Sequence, residues 1–405
     1  LNSLSGVSIS SNGGIGQTSS VYLRGMDSNR TLILLDGVRY NDITTPKGSA
    51  NIEHLMINDV ERIEVIKGAQ SSIWGADASA GVINIITKSS QDGTHGNATI
   101  EYGRYNSKTA KANISHKNEN FDAKLSATRV DTDGFSAKSP KSSEAKNYED
   151  DGYENTTANL KLGYNFDENN RLSTSYEIID TKVNFDSTPD DKISKANTLT
   201  HLANITYENR NDIALTKVYT NYTEIKRDSK SSSGTSNFRG KVKEYGLNTS
   251  INYLTSSNVT LGADYKDFED KEMSKDYDNK GIFISNTNKF FDDKTIFTQA
   301  LRYDRYSDFE NKTTGKIGIK QYIIDDLNIS SNYGTGYNVP NLYQLHDVWA
   351  GNDTLQPEKT KSYDVSIAYE GFSVTYFNTK IKDLIDYNYA TWTYDQMSGT
   401  SKLKG

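Results

Sequence analysis

After residue 98 the chain alternates apolar and polar residues in one short segment after another, with turns and loops between them. In "FDAKLSATRV" Phe121, Ala123, Leu125 and Ala127 share one side, and Asp122, Lys124, Ser126 and Thr128 share the other. "ANLKLGYNF" sets Leu160 and Leu162 against Asn159 and Lys161, and "KIGIKQ" sets Ile317 and Ile319 against Lys316 and Lys320. A period of two is the signature of a strand with one face apolar and one polar. Fifteen segments read this way: 98–106, 108–117, 121–131, 156–166, 171–185, 198–208, 212–227, 241–254, 258–268, 280–290, 294–306, 313–324, 327–335, 362–370 and 372–387.

The connections differ by side. Short turns read at 117–120, 167–170, 208–212, 255–258, 291–293, 325–326 and 370–371. Long polar loops read at 132–155, 186–197, 228–240, 269–279 and 336–361. Short turns on one rim and long loops on the other describe a membrane-spanning antiparallel β-barrel. A soluble sandwich or propeller requires no such asymmetry, and no blade-like repeat is present. No run approaches 18 apolar residues, which excludes a transmembrane helix but not a barrel. Only 34% of residues are hydrophobic, as expected where each strand has a wet face. On the barrel reading Phe121, Leu125, Leu160 and Leu162 meet lipid, while Lys124, Asn159 and Lys161 face the lumen. Fifteen strands cannot close an all-antiparallel barrel, and "KLKG" at the end reads as the start of a sixteenth. The barrel is therefore expected to continue beyond this chain.

Composition narrows the function. A net charge of −7 spread along the chain argues against nucleic acid. With no cysteine there is neither a disulfide nor a thiolate metal site. No G-x-S-x-G, phosphate-binding loop or H-E-x-x-H occurs, so no enzyme is expected. The opening "LNSLSGVSIS" lacks a basic and an apolar leader region, so a signal peptide is expected to lie upstream or to have been removed.

The first 88 residues have another texture. "SVYLRGMDSNRTLILLDGVRYND" runs an apolar stretch into an Asp36-Gly37 turn. "DVERIEVIKGAQSSIWGADASAGVINIITK" alternates Glu61, Ile63 and Val65 with Arg62, Glu64 and Ile66 before a final apolar strand. "YLRG", "LLDGVR" and the long "VERIEVIKG…" segment, in this order, resemble the plug domain of the TonB-dependent outer-membrane receptors. That resemblance implies an α/β plug (residues 1–88) inside the lumen of a 22-stranded barrel (98–405 here), with about seven further strands. It also implies an energy-coupling box upstream, TonB with ExbB and ExbD as partners, a bacterial outer-membrane location in contact with its lipid, and a monomer. "NGGIGQTSSVYLRG", "YGTGYNVPNLYQL", "GNDTLQPEK" and the final "KDLIDYNYATWTYDQMSGTSKLKG" are similar to segments of the family's cobalamin-transporting members.

From the resemblance, Gln17, Thr18, Asn41, Asp42, Thr44 and Thr45 are expected to touch ligand from exposed apical loops of the plug. Arg24, Glu61, Arg62, Glu64 and Lys67 are expected to form an ionic set inside the plug or between plug and barrel wall, either static structural pairs or a latch that loosens when the plug is pulled. Asp180, Asp186 and Asp228 are candidate calcium ligands, since calcium needs converging carboxylate oxygens. His346 raises haem as a cargo, and ferric siderophores are the other alternative. Outside transport, a passive surface receptor or adhesin is the rival. A diffusion porin would have no use for a folded plug.

Overall fold

The computed structural model describes residues 2–138, 148–188, 191–254 and 256–405. Parts of the loops expected at 132–155 and 186–197, position 255 of the turn at 255–258, and Leu1 lie outside the described residues. The plug begins with a hairpin, β1 (Val7–Ser11) and β2 (Ser19–Leu23). A four-stranded mixed sheet follows, built from β3 (Thr31–Leu35), β4 (Val38–Arg39), β5 (Val60–Lys67) and β6 (Gly81–Thr87) in the order β4-β3-β6-β5. The runs "TLILL" and "GVINIIT" pair in parallel, Leu32 opposite Val82 and Leu35 opposite Ile85. Nearly every residue of both is buried, as uninterrupted apolar strands require when both faces are covered. Their side chains join Val21, Leu23, Met26 and Tyr40 in one core. Gly81 admits no side chain, because a Cβ there would stand 2.2 Å from the Ile66 carbonyl oxygen.

A single 16-stranded antiparallel sheet surrounds this unit. Its strands are β7 (Gly93–Gly103), β8 (Ser107–Lys117), β9 (Phe121–Thr132), β10 (Tyr153–Asn165), β11 (Asn170–Asn184), β12 (Lys195–Arg210), β13 (Ala214–Ser231) and β14 (Gly234–Tyr253). It continues through β15 (Ser257–Asp270), β16 (Lys275–Phe290), β17 (Thr295–Tyr306), β18 (Lys312–Ile324), β19 (Leu327–Asn338), β20 (Glu358–Tyr369) and β21 (Phe372–Lys382). A small separate hairpin, β22 (Ile385–Asn388) with β23 (Thr393–Gln396), intervenes before β24 (Thr400–Lys404) completes the sheet beside β21. Each of the fifteen alternating segments is one strand, and "KLKG" belongs to the sixteenth. β7 and β24 are the edges and do not pair with each other.

The faces follow the period of two. Phe121, Leu125 and Leu160 are exposed on the outside and Leu162 is half-exposed there, while Lys124 is buried against the plug, Asn159 is buried on the same inner face beside Glu177, and Lys161 is turned toward the plug. An apolar concavity of about 720 Å³ beside Leu247, Leu261, Ile282 and Leu301 lies on this outer wall. It belongs to the lipid-facing surface and not to the lumen.

Two expected loops are strands instead. Residues 228–240 form the tip of the β13–β14 hairpin, closed by Ser232 and Ser233 alone, and 269–279 shrink to a turn at 271–274. Strand pairing continues there past the part that alternates, and "SKSSSGTSN" carries no apolar face to reveal it. Conversely, the segment read as 372–387 ends at Lys382, where Asp383 turns with φ 58°.

Candidate functional site

The plug meets the barrel wall through two kinds of contact. Toward β15–β20 the approach is close. Helix α1 (Ser71–Trp74) lies against β16–β19. Gly336 lets Ser71 and Ser79 come within contact of the strand backbone, and Gly334 does the same for Ala69. The fully buried Arg302 guanidinium donates to the Ile73 carbonyl at 3.3 Å while its other N–H groups hold Asp264 and Asp304 at 2.7–3.0 Å.

Beside this face stand the plug's own arginines. Arg30 binds Glu358 of β20 with two hydrogen bonds of 2.8 and 2.6 Å, both side chains buried. Glu358 also accepts the Ile385 N–H at 2.7 Å, which fixes the carboxylate from a second direction. Arg24 donates to Asp364 at 2.9 Å and packs over Phe377. On the β9–β13 wall the ion pairs are single charges, beside neutral hydrogen bonds from Asn155 to the His54 carbonyl and from Thr223 to the Arg39 carbonyl at 2.9 and 2.6 Å. Lys161 reaches Asp36 at 2.9 Å, Lys124 pairs with Asp59, and Arg227 reaches Asp42 at 3.1 Å. Here a polar cavity of about 480 Å³ lined by Asp36, Asp122, Lys161 and Arg171 separates plug from wall.

Of the five residues expected in the ionic set, only Arg24 crosses to the barrel. Glu61, Arg62 and Glu64 pair with one another on the exposed face of β5, at 3.0 and 2.8 Å, and Lys67 donates to the Ser5 carbonyl. The residues that do cross, Arg30, Asp36, Asp42 and Asp59, were not separable in sequence from ordinary surface charges. Their partners lie up to 328 positions away.

The apical loops also differ from expectation. Only Thr18 is exposed. Gln17 is buried and donates to the Asn184 carbonyl at 2.6 Å. The Asn41 side chain accepts the Ile33 N–H and donates to the Thr31 and Gly48 carbonyls. Asp42 accepts the N–H and hydroxyl of Thr44, and the Thr45 hydroxyl donates to the Asp42 carbonyl. These groups shape the 41–48 loop and leave few free polar atoms for a ligand, because a buried loop must satisfy its own backbone first.

Over that loop sits helix α2 (Leu342–His346), carrying His346 at its end. Its capping box is shared with the plug. Asn341 and Gln344 cap each other's backbone N–H groups at 2.8 and 3.1 Å, and their amide N–H groups donate to the Thr45 and Pro46 carbonyls at 2.9 and 3.2 Å.

Among the aspartates considered for calcium, Asp186 alone joins an acidic cluster, with Glu149 and Asp151. Asp180 is exposed on the outer face of β11, and Asp228 pairs in register with Asn197 near Lys226. In the cluster each carboxylate has one oxygen tied to the loops. Asp151 accepts the Ala137 N–H at 2.8 Å, Asp186 accepts Ser136 and Lys138 at 3.0 and 3.1 Å, and Glu149 accepts the Asp191 N–H at 2.8 Å. The second oxygen of each is buried with no hydrogen-bond partner among the described residues, and the three groups come within 4.8 Å of one another. Burial and the neighbouring Asp186 push Glu149 up to about 7 and Asp151 up to about 6. Acids gathered this way favour either protons or a cation.

The family profile described as "TonB dependent receptor-like, beta-barrel" matches residues 86–405, and that of the "TonB-dependent Receptor Plug Domain" matches residues 1–82. The chain belongs to the TonB-dependent receptors. The vitamin B12 transporter BtuB of Vibrio cholerae serotype O1 is 28% identical over 421 residues, a match covering all of this chain and 68% of that protein. Among solved structures, the ferric enterobactin receptor PfeA from Pseudomonas aeruginosa, in complex with enterobactin, superimposes with a TM-score of 0.79 at 16% identity, over 99% of this chain and 74% of that one. The copper transporter OprC gives 0.80 at 16%, over 99% and 70%. Proteins named for such different cargoes share this fold, so fold alone does not select the ligand.

Proposed function

We propose that this chain forms the plug and much of the barrel of an active transporter in a bacterial outer membrane, driven by TonB with ExbB and ExbD, whose cargo is cobalamin. The observation that carries the transport reading is a folded plug held in the lumen by the buried Arg30–Glu358 and Arg24–Asp364 pairs. A diffusion pore gains nothing from such a stopper, and an adhesin has no need of one that can be pulled. Residues 1–88 are the unit that moves. The cobalamin reading is supported by similarity to a vitamin B12 transporter along the whole chain. Ferric siderophores remain the second reading, supported by the likeness in fold to siderophore receptors.

Glu149, Asp151 and Asp186 are proposed to hold a calcium ion that orders the extracellular loops, the three unpartnered oxygens being its ligands. His346 stands at the end of α2, where burial and nearby Lys275 lower its affinity for protons. Nothing around it selects haem.

The test is binding by the full-length protein of cyanocobalamin against a ferric siderophore panel, followed by uptake with and without TonB. Cyanocobalamin binding with TonB-dependent uptake is the expected result. Binding of iron chelates alone removes the cobalamin reading, and uptake that ignores TonB removes active transport.

A further inference from the structure

The concavity of about 720 Å³ on the outer wall continues toward the short turns. A second one of about 530 Å³, beside Tyr253, Val259 and Gln299, shares Ile284 and Leu301 with it, so the two form one furrow across β14–β17. Its floor follows from the register. Ala263 stands between Leu247 and Ile282, a small side chain flanked by two tall ones. We infer that this furrow, with two cations at its extracellular end, binds a phosphorylated, multiply acylated glycolipid of the outer leaflet (lipid A). This rests on the outer-membrane reading and adds a ligand held outside the barrel, separate from the cargo.

Lys280 and Arg305 sit directly opposite each other on β16 and β17, on the same outer face as the next pair, Ile282 and Tyr303. From Lys280 to Phe290, and from Thr295 to Arg305, each strand runs the about 9–11 residues that a tilted strand needs to cross the hydrocarbon. The two cations therefore stand where the apolar band gives way to headgroups, on the rim away from the short turns.

Other cations on this face are paired, Lys243 with Asp267 at 3.2 Å and Arg239 with Glu224 at 2.6 Å. Arg305 is exposed and makes no hydrogen bond or ion pair among the described residues. The Lys280 side chain is 65% exposed and only loosely held, with the Asp278 carboxylate at 4.0 Å. Its ammonium lies over the Tyr265 ring at 5.7 Å, and Tyr265 stacks on Tyr245 at 6.3 Å. Like charges directly opposite each other destabilise a strand pair. An anion between them removes that cost, and a phosphate suits both the fork of an arginine and the point charge of a lysine.

The furrow sets the rest of the ligand. Four strands about 4.8 Å apart make it about 14 Å across, several acyl chains wide. A further concavity of about 620 Å³ lies beyond Leu247, beside Ile205, Tyr207 and Val218, but the cation that precedes Tyr245 on β14, Lys243, is already held by Asp267. Lipid tails can cover either surface. Only the first offers a free charge to a headgroup.

The experiment reconstitutes the full-length protein as wild type, Lys280→Gln/Arg305→Gln and Ala263→Leu. Retention of lipid A, of lipid A stripped of its phosphates and of phosphatidylglycerol is measured by native mass spectrometry. All three side chains face outward, so heat-modifiable mobility on gels should be kept, which is the folding control. The double variant should lose at least tenfold in lipid A affinity, wild type should lose as much for the stripped lipid, and high salt should weaken the intact complex. Ala263→Leu, which fills the floor and keeps both cations, should lose several-fold. Equal retention of lipid A by wild type and double variant overturns the site, as does equal retention of the stripped lipid. Phosphatidylglycerol held as tightly as lipid A overturns the commitment to the glycolipid, and a dimer that the same substitutions break assigns the furrow to a second copy instead. Wild type that does not enter bilayers at all removes the outer-membrane reading, whereas inserted wild type that sheds lipid A removes this site alone.

Discussion

The charges on β5 and the charges on the β20 side of the plug look alike in sequence and behave differently in the structure. Glu61, Arg62 and Glu64 pair along one exposed strand, where water already solvates each partner. Arg30 and Glu358 pair across the plug–barrel boundary with almost no exposure. Exposed pairs contribute little, because the attraction is screened and holding the side chains costs entropy. Breaking a buried pair strands a charge, which is far more expensive than the pair is stabilising. What makes a latch is therefore not charge but a partner on the other body, out of water.

The largest expected effect follows. Glu358→Ala should weaken plug docking by about 3–5 kcal/mol, because Arg30 is left buried and unpaired. Glu64→Ala should leave docking unchanged within error. Protease sensitivity of the plug across a urea series checks both, and equal effects would erase the distinction.

A second comparison is across the wall. Leu160→Arg, on the lipid side, should cost about 2–4 kcal/mol in a bilayer refolding assay. Lys161→Arg keeps its charge beside Asp36 and should be close to neutral. Similar costs at neighbouring positions would mean that the faces are assigned wrongly.

The smallest effect concerns the acidic loops. Glu149 and Asp151 titrate at about 7 and about 6 in the folded protein, above their unfolded values. The folded state then holds more protons than the unfolded one between roughly pH 4 and 7. The stability they lend without metal is full below the unfolded values and is lost as pH rises to 7. Calcium requires the deprotonated forms, so its affinity should rise over the same interval and calcium should flatten the stability loss. Asp151→Asn should remove most calcium binding. Loop protection measured by hydrogen exchange, with calcium and with chelator, reads this directly. A pH profile indifferent to calcium would exclude the ion.

How much of this was legible in sequence depended on the distance over which each signal acts. Lipid outside and plug or water inside impose a period of two on every strand, so "ANLKLGYNF" announces both its structure and its orientation. Where strands outrun that constraint, as at 228–240, polar residues on both faces hide the pairing. The plug's parallel strands were readable as apolar runs. Plug–barrel partners were not, since nothing in "DSNRT" indicates that Arg30 meets Glu358. The apical residues misled for a related reason. "YNDITTPKGS" is polar because it bonds to itself, and polarity in a one-dimensional string does not distinguish self-satisfaction from readiness for a ligand.

The central claim is that the plug rests inside the barrel with the segment before α1 against β19. These 405 residues contain no cysteine, so none of them competes with an engineered pair. A Cβ at Gly334 would lie 3.4 Å from that of Ala69, close to the spacing of about 3.5–4.5 Å that a disulfide spans. Ala69→Cys with Gly334→Cys in the full-length protein should oxidise to a single intramolecular bond, seen as a reductant-sensitive mobility shift, with ligand binding intact. Two thiols that stay free and react with a maleimide in the resting protein would contradict the docked plug.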